Sequence, residues 1–169
     1  MGIVLKLERI PINIGLGVCL GMVPLIAYNY GAGNRKRTRQ FFSLARITIL
    51  VFSCACVAIF WLFPRPIVAG FISDEETILQ GVPFLRGRCV SLPFMMIGYH
   101  IVNYMNAVNK GKISFLLALI RHIALIIPLM LLMNALWGLN GLIWSQAAAD
   151  GLNAVVALAI YKRVDRGNQ

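Results

Sequence analysis

The chain has 169 residues, 59% of them hydrophobic and only 13% charged. A soluble domain runs nearer about 45–50% apolar and about 25% charged, so this balance excludes an ordinary water-soluble fold. The net charge of +10 does not point to nucleic acid, because the basic residues sit in short clusters between apolar runs and form no basic face with interleaved aromatics.

Five apolar spans follow in chain order: Ile10 to Tyr30, Ile47 to Phe63, Cys89 to Val108, Ile113 to Ala135 and Leu139 to Tyr161. Each has roughly the 17–25 residues that a helix needs to cross the hydrocarbon layer. Lipid offers a backbone no hydrogen bonds, so such spans must be helical. The expected fold is an all-α membrane protein, a single polytopic bundle over residues 1–169 with five transmembrane helices at about 10–30, 41–63, 81–108, 113–135 and 139–161.

In the first span, Asn13, Gly17, Gly21, Pro24 and Tyr28 recur at steps of three and four and share one helix face. Gly17 and Gly21 form a GxxxG pair, which suits close helix packing; direct substrate contact is the alternative. Pro24 is a candidate hinge. The loop Gly31 to Arg39 combines turn residues with a basic run that sets topology and meets anionic headgroups. After Phe63, the stretch Ile67 to Ile72 is too short to span and reads as an interfacial helix. Ser73 followed by Asp74, Glu75 and Glu76 reads as an N-cap with acidic first-turn residues. The helix it opens runs into the third span, with bends expected near Pro83 and Pro93.

The third span carries Tyr99, Asn103 and Asn106 on one face, with His100 beside them. Polar groups at membrane depth face a protein interior or a wet cavity. The stripe therefore suits either a substrate path or interhelical hydrogen bonding. His100 reads as a structural histidine, with proton shuttling as the alternative. The fourth span carries Arg121. The fifth carries Gln146, Asp150 and Asn153 on one face, and Asp150 is the one acid inside the spans as drawn. Arg121 is its obvious partner, because antiparallel neighbours joined by the short Gly138–Gly141 connection put both at similar depth. A structural ion pair and a functional charge switch both fit, and removing either partner is expected to be costly.

The four cysteines, Cys19, Cys54, Cys56 and Cys89, show neither zinc-ribbon nor redox spacing and read as apolar thiols. No Gly-x-Ser-x-Gly, His-Glu-x-x-His or aspartate cluster is present, so an enzyme, a resident metal and a cofactor are not expected.

Charge sets the expected orientation. Arg35, Lys36, Arg37, Arg39, Arg46, Lys110, Lys112, Lys162, Arg163 and Arg166 lie on one side. Lys6, Arg9, Arg65, Arg86 and Arg88 lie on the other. The richer side reads as cytoplasmic, as does the C-terminus. An odd number of spans then puts the N-terminus outside with no signal peptide before it, which leads to the expectation that an earlier helix is missing.

The stretch GMVPLIAYNYGAGN (Gly21 to Asn34), followed by basic residues, resembles the multidrug and toxic compound extrusion (MATE) family. The likeness continues through Phe71 to Asp74, Ser91 to Phe94, Asn106 to Gly111, Gly138 to Gly141 and Gln146 to Asp150. The resemblance implies helices eight to twelve of a twelve-helix, two-lobed transporter. The partners it implies are the bilayer, a missing N-terminal lobe and organic cations or drugs as substrates, with a proton or sodium ion as coupling ion and the plasma membrane, in bacteria the inner membrane, as location. It implies an exporter working by alternating access. A flippase of lipid-linked precursors and a non-transporting fragment or subunit are the alternatives. Asp150 matches a recurrent acid on the last helix, whereas the span corresponding to the fourth helix of the lobe lacks the acid of some sodium-coupled members. The pathway candidates read from the polar faces of the spans are Asp150, Arg121, Gln146, Asn153, Tyr99, Asn103, Asn106 and Asn13, and of these the resemblance carries over Asp150 alone.

Overall fold

A computed structural model describes residues 2–71 and 74–166, and nearly all of them are helical. Seven α-helices follow in order: α1 Gly2–Gly31, α2 Arg35–Leu62, α3 Pro64–Ala69, α4 Glu75–Cys89, α5 Leu92–Ala107, α6 Gly111–Leu119 and α7 Ile127–Arg166, with a π-helical segment Ile120–Ile126 between the last two. Among the described residues, three stretches are long and apolar enough to cross a membrane: Lys6–Gly31, Arg35–Leu62 and Gly111–Gly138. Their outward faces, and that of α7, carry large apolar side chains such as Leu44, Val51, Leu131 and Val155. A surface of that kind is stable against lipid and not against water.

α1 turns into α2 over three residues. Gly33 supplies a positive φ of 73°, and the Asn34 side chain caps α2 by accepting from the Arg37 N–H. α1 is straight-through helix despite Pro11 and Pro24. Its apolar stripe meets α2 and α5 around Met22, Ile26, Phe42, Ile101 and Met105. A second cluster joins Cys19 and Ile49 to Cys89, Leu92 and Met96. A third holds α3 and α4 against α1 through Leu7, Val68, Ile78 and Leu85.

Four details differ from the sequence expectations. The short helix after Phe63 is Pro64–Ala69, started by its proline and ended at Gly70; Ile72 lies outside the described residues. The cap of α4 is Asp74, whose carboxylate accepts the Thr77 N–H at 2.9 Å, while Ser73 lies outside the described residues. Pro83 sits inside α4 without breaking it. The break falls at Val90–Ser91, where Pro93 can only begin a new helix, so one expected span becomes two helices. Finally, Asp150 is not alone at depth, because α1 begins early enough to bury Glu8.

The Thr77 hydroxyl and N–H both donate to Asp74 and hold its carboxyl below the ordinary value of 3.8. A depressed carboxyl stabilises the fold above its ordinary value and loses that contribution as pH falls through the lowered one. The first-turn amides of α4 are therefore expected to lose exchange protection at strongly acidic pH. Asp74→Ala should show that loss at neutral pH too, and equal protection in both proteins would remove the cap.

α7 contains a sharp reversal. Gly138 adopts φ 57° and ψ −135°, outside any helix, so α7 is two arms joined at this residue. Gly141 passes so close to the Met133 carbonyl that a Cβ there would overlap it. The arm before Gly138 continues α6 and the π-helical segment as one rod, and the arm after it packs back along that rod and α5.

Candidate functional site: a polar cavity around Arg121 and Asp150

Arg121 and Asp150 are 29 residues apart. In one straight helix they would be about 43 Å apart. The reversal at Gly138 brings them into contact instead. Arg121 Nε donates to Asp150 Oδ1 at 2.9 Å, and Nη2 approaches the same oxygen at 2.9 Å. Arg121 Nη1 donates to the Tyr99 hydroxyl at 3.0 Å, with the guanidinium 4.8 Å from the Tyr99 ring centre. Asp150 is fully buried and Arg121 is 7% exposed. Three elements thus meet on one charged cluster: α5 with Tyr99, the π-helical segment with Arg121, and the second arm of α7 with Asp150. A π-helix widens the helix and turns its side chains out of the usual register, a feature that recurs at functional sites.

This cluster borders a cavity of about 410 Å³ lined by Glu8, Asn13, Arg88, Tyr99, Arg121 and Gln146, among others. Five expected pathway residues therefore converge: Asn13, Tyr99, Arg121 and Gln146 on the wall, and Asp150 behind Arg121. Asn103 and Asn153 are buried and do not line it. Asn103 donates to the Tyr99 carbonyl at 2.9 Å within its own helix. Asn153 takes the space that Gly98 leaves, where a Cβ would stand 2.6 Å from Asn153 Nδ2. Asn106 lies apart, exposed near the end of α5.

The face Asn13, Gly17, Gly21, Pro24 and Tyr28 is exposed along its whole length. No described atom lies within 4 Å of a Cβ built at Gly17 or Gly21. Among the described residues the GxxxG pair makes no packing contact, and α1 packs through Cys19, Met22 and Ile26. His100 is buried and stacks on Phe42, with ring centres 4.3 Å apart, away from the cavity lining. Among the described residues no group of three or more His, Cys, Asp or Glu could hold a metal ion.

A family model described as MatE matches residues 1–132. The chain belongs to the MATE family. It is 32% identical over 159 residues to the multidrug export protein MepA of Staphylococcus aureus, covering 94% of this chain and 35% of that protein. The Staphylococcus saprophyticus protein of the same name is 29% identical over the same shares. The fold matches the Vibrio cholerae MATE transporter VcmN in its bent form, with a TM-score of 0.90, 20% identity, and coverage of 98% of this chain and 38% of that one. The MATE multidrug transporter DinF-BH gives a TM-score of 0.86 and 26% identity over 96% of this chain and 36% of that one. The MATE chain described here thus spans about a third of the length of its relatives. Those homologues are transporters, not enzymes.

Sequence reasoning missed one element of this cavity. Glu8 and Arg88 form a second buried ion pair on the same cavity, with Arg88 Nε donating to Glu8 Oε2 at 2.8 Å. A first span drawn from Ile10 leaves Glu8 outside the membrane, and Arg88 then counts as a loop charge. The residues argue against an earlier start: Pro11 stands between Glu8 and Asn13 and reads as a helix start, whereas α1 runs through it from Gly2.

Proposed function

We propose that this bundle is part of one lobe of a cation-coupled multidrug efflux antiporter, and that the Arg121–Asp150–Tyr99 cluster lies on its ion and substrate path. In this reading the chain crosses the bilayer five times, with α4 and α5 sharing one crossing and the two arms of α7 belonging to separate ones. The C-terminus and the basic α1–α2 turn face the cytoplasm of a bacterial inner membrane. A second lobe, carried in the relatives by the length this chain does not cover, completes the central path. Alternating access follows from the two lobes rocking about it.

The observation that carries the reading is a buried, charged cluster facing a polar cavity inside helices that are otherwise apolar. Charge at that depth costs about 2.5–3.5 kcal/mol on insertion scales unless it is paired, and it persists where ion or substrate passage uses it. Asp150 is the acid through which a proton or sodium ion would be exchanged. Arg121 holds it, and Tyr99 orients Arg121. The open face of Asn13, Gly17, Gly21, Pro24 and Tyr28 turns toward the second lobe and the drug. The flippase reading asks for unpaired cationic groups to hold phosphates, whereas two of the three arginines on the cavity, Arg88 and Arg121, are each occupied by an acid.

The test is a chimera in which this chain replaces the matching segment of the Staphylococcus aureus relative. Cells making the chimera are expected to export a fluorescent organic cation, and vesicles holding this chain alone are expected not to. Export by the isolated chain, or none by a well-expressed chimera, would contradict the proposal.

A further inference from the structure

The cavity holds a second acid with an unused oxygen. Glu8 is 3% exposed. Both Arg88 Nε and Nη2 grip its Oε2 at 2.8 Å. Glu8 Oε1 is buried and accepts no hydrogen bond among the described residues, and Asp150 Oδ2 is left in the same condition. Buried polar atoms are normally satisfied, so an orphaned carboxylate oxygen on a cavity wall marks a place for a donor.

The surroundings say which donor fits. Arg9 is next to Glu8 on its own helix, Arg88 comes from α4, Tyr99 from α5, Arg121 and His122 from the π-helical segment, and Asp150 from α7. Arginines outnumber acids here, which disfavours a metal ion, and among the described residues the cavity lacks the several acidic oxygen donors that a hard cation needs. A proton needs a single lone pair. The pair also ties two elements together. Glu8 sits on α1 and Arg88 on α4, and α4 is already separated from α5 by the break at Val90–Ser91.

We propose that Glu8 is a proton-operated latch. A proton from water adds to Oε1, the carboxylate becomes a neutral carboxyl, and Arg88 loses the charge that holds it; α4 is then released to move against α1. Arg88 is the positioning residue that keeps α4 docked while Glu8 is ionised. The latch rests on the reading of this cavity as part of a transport path, and it adds to that path a protonation step separate from Asp150.

The chain supplies its own reporters. Cys89 adjoins Arg88 and is 1% exposed, Cys54 is exposed, and Cys19 is buried on α1. In lipid nanodiscs, N-ethylmaleimide labelling is followed at Cys89 and Cys19 by mass spectrometry, and the Cys89 rate is expressed relative to that of glutathione in the same buffer to remove the reagent's own pH dependence. Lowering the pH from about 8 to about 5 should raise that ratio by about tenfold or more, as the opening of a segment whose charge pair is broken. Glu8→Gln and Arg88→Gln should hold the ratio high at every pH, while Cys19 stays protected in all three proteins. A pH-independent ratio in the unaltered chain would overturn the latch, and so would a ratio in Glu8→Gln equal to that of the unaltered chain at about pH 8. Opening of Cys19 together with Cys89 would mean general unfolding and overturn it too. A rise produced by sodium at constant pH would replace the proton with another ion and overturn it as stated. The readout needs no transport, so pH-dependent opening in a chimera that exports nothing would sink the transport reading and keep the latch.

Discussion

Arg121→Leu is expected to destabilise the bundle by about 3–5 kcal/mol, because it leaves Asp150 ionised, fully buried and without its partner. The same change also strips the Tyr99 hydroxyl of its donor. Asp150→Leu alone should cost a comparable amount, since a guanidinium in an apolar cleft is no easier to keep than a carboxylate. The double variant Arg121→Leu with Asp150→Leu should recover most of the loss, as two apolar side chains in contact need no desolvation. Thermal unfolding of the purified proteins in one detergent reads all three. If the single losses simply add in the double variant, the pair is not the unit of stability described here. Recovery of the fold without recovery of export would separate the structural value of the pair from its use.

Gly141→Ala should cost about 3 kcal/mol or more, because the new methyl meets the backbone carbonyl of Met133 and no side-chain rotation relieves it. Gly138→Ala should cost about 1–3 kcal/mol for a different reason. Its Cβ would find open space, but φ 57° with ψ −135° is a backbone region that alanine resists. Both changes act where α7 reverses, so both should loosen the contact between Arg121 and Asp150. Gly17→Ala, whose Cβ meets nothing among the described residues, is the control and should leave the isolated bundle unchanged. Equal stability of Gly141→Ala and Gly17→Ala would mean that the two arms of α7 do not pass as closely as described.

The contrast among these glycines shows what can be read from the residues alone. The helical class and the membrane are legible because apolar runs of the right length leave few options. The Arg121–Asp150 pairing is legible too, since a lone base and a lone acid in neighbouring spans need each other. The role of Gly17 and Gly21 is not, because GxxxG spacing says that a backbone can approach closely and not that one does. The start of α1 is hidden by its own charges: Lys6, Glu8 and Arg9 look like a loop until Arg88 arrives from a helix 80 positions away to neutralise the acid. The π-helical turn leaves no mark either, as Ile120–Ile126 is as apolar as any α-helical run apart from Arg121 and His122. Prolines point to two bends between Asp74 and the third span, whereas Pro83 is tolerated inside α4 and the chain breaks once, just before Pro93.

Asp150, held by Arg121 beside the polar cavity, is the group proposed to exchange the coupling ion for the exported cation. Everted membrane vesicles containing the chimera test this most directly. An imposed proton gradient should drive uptake of a fluorescent organic cation, uptake should collapse with the gradient, and Asp150→Asn at equal abundance should abolish it. Gradient-driven uptake by Asp150→Asn at the rate of the unaltered chimera would contradict the account.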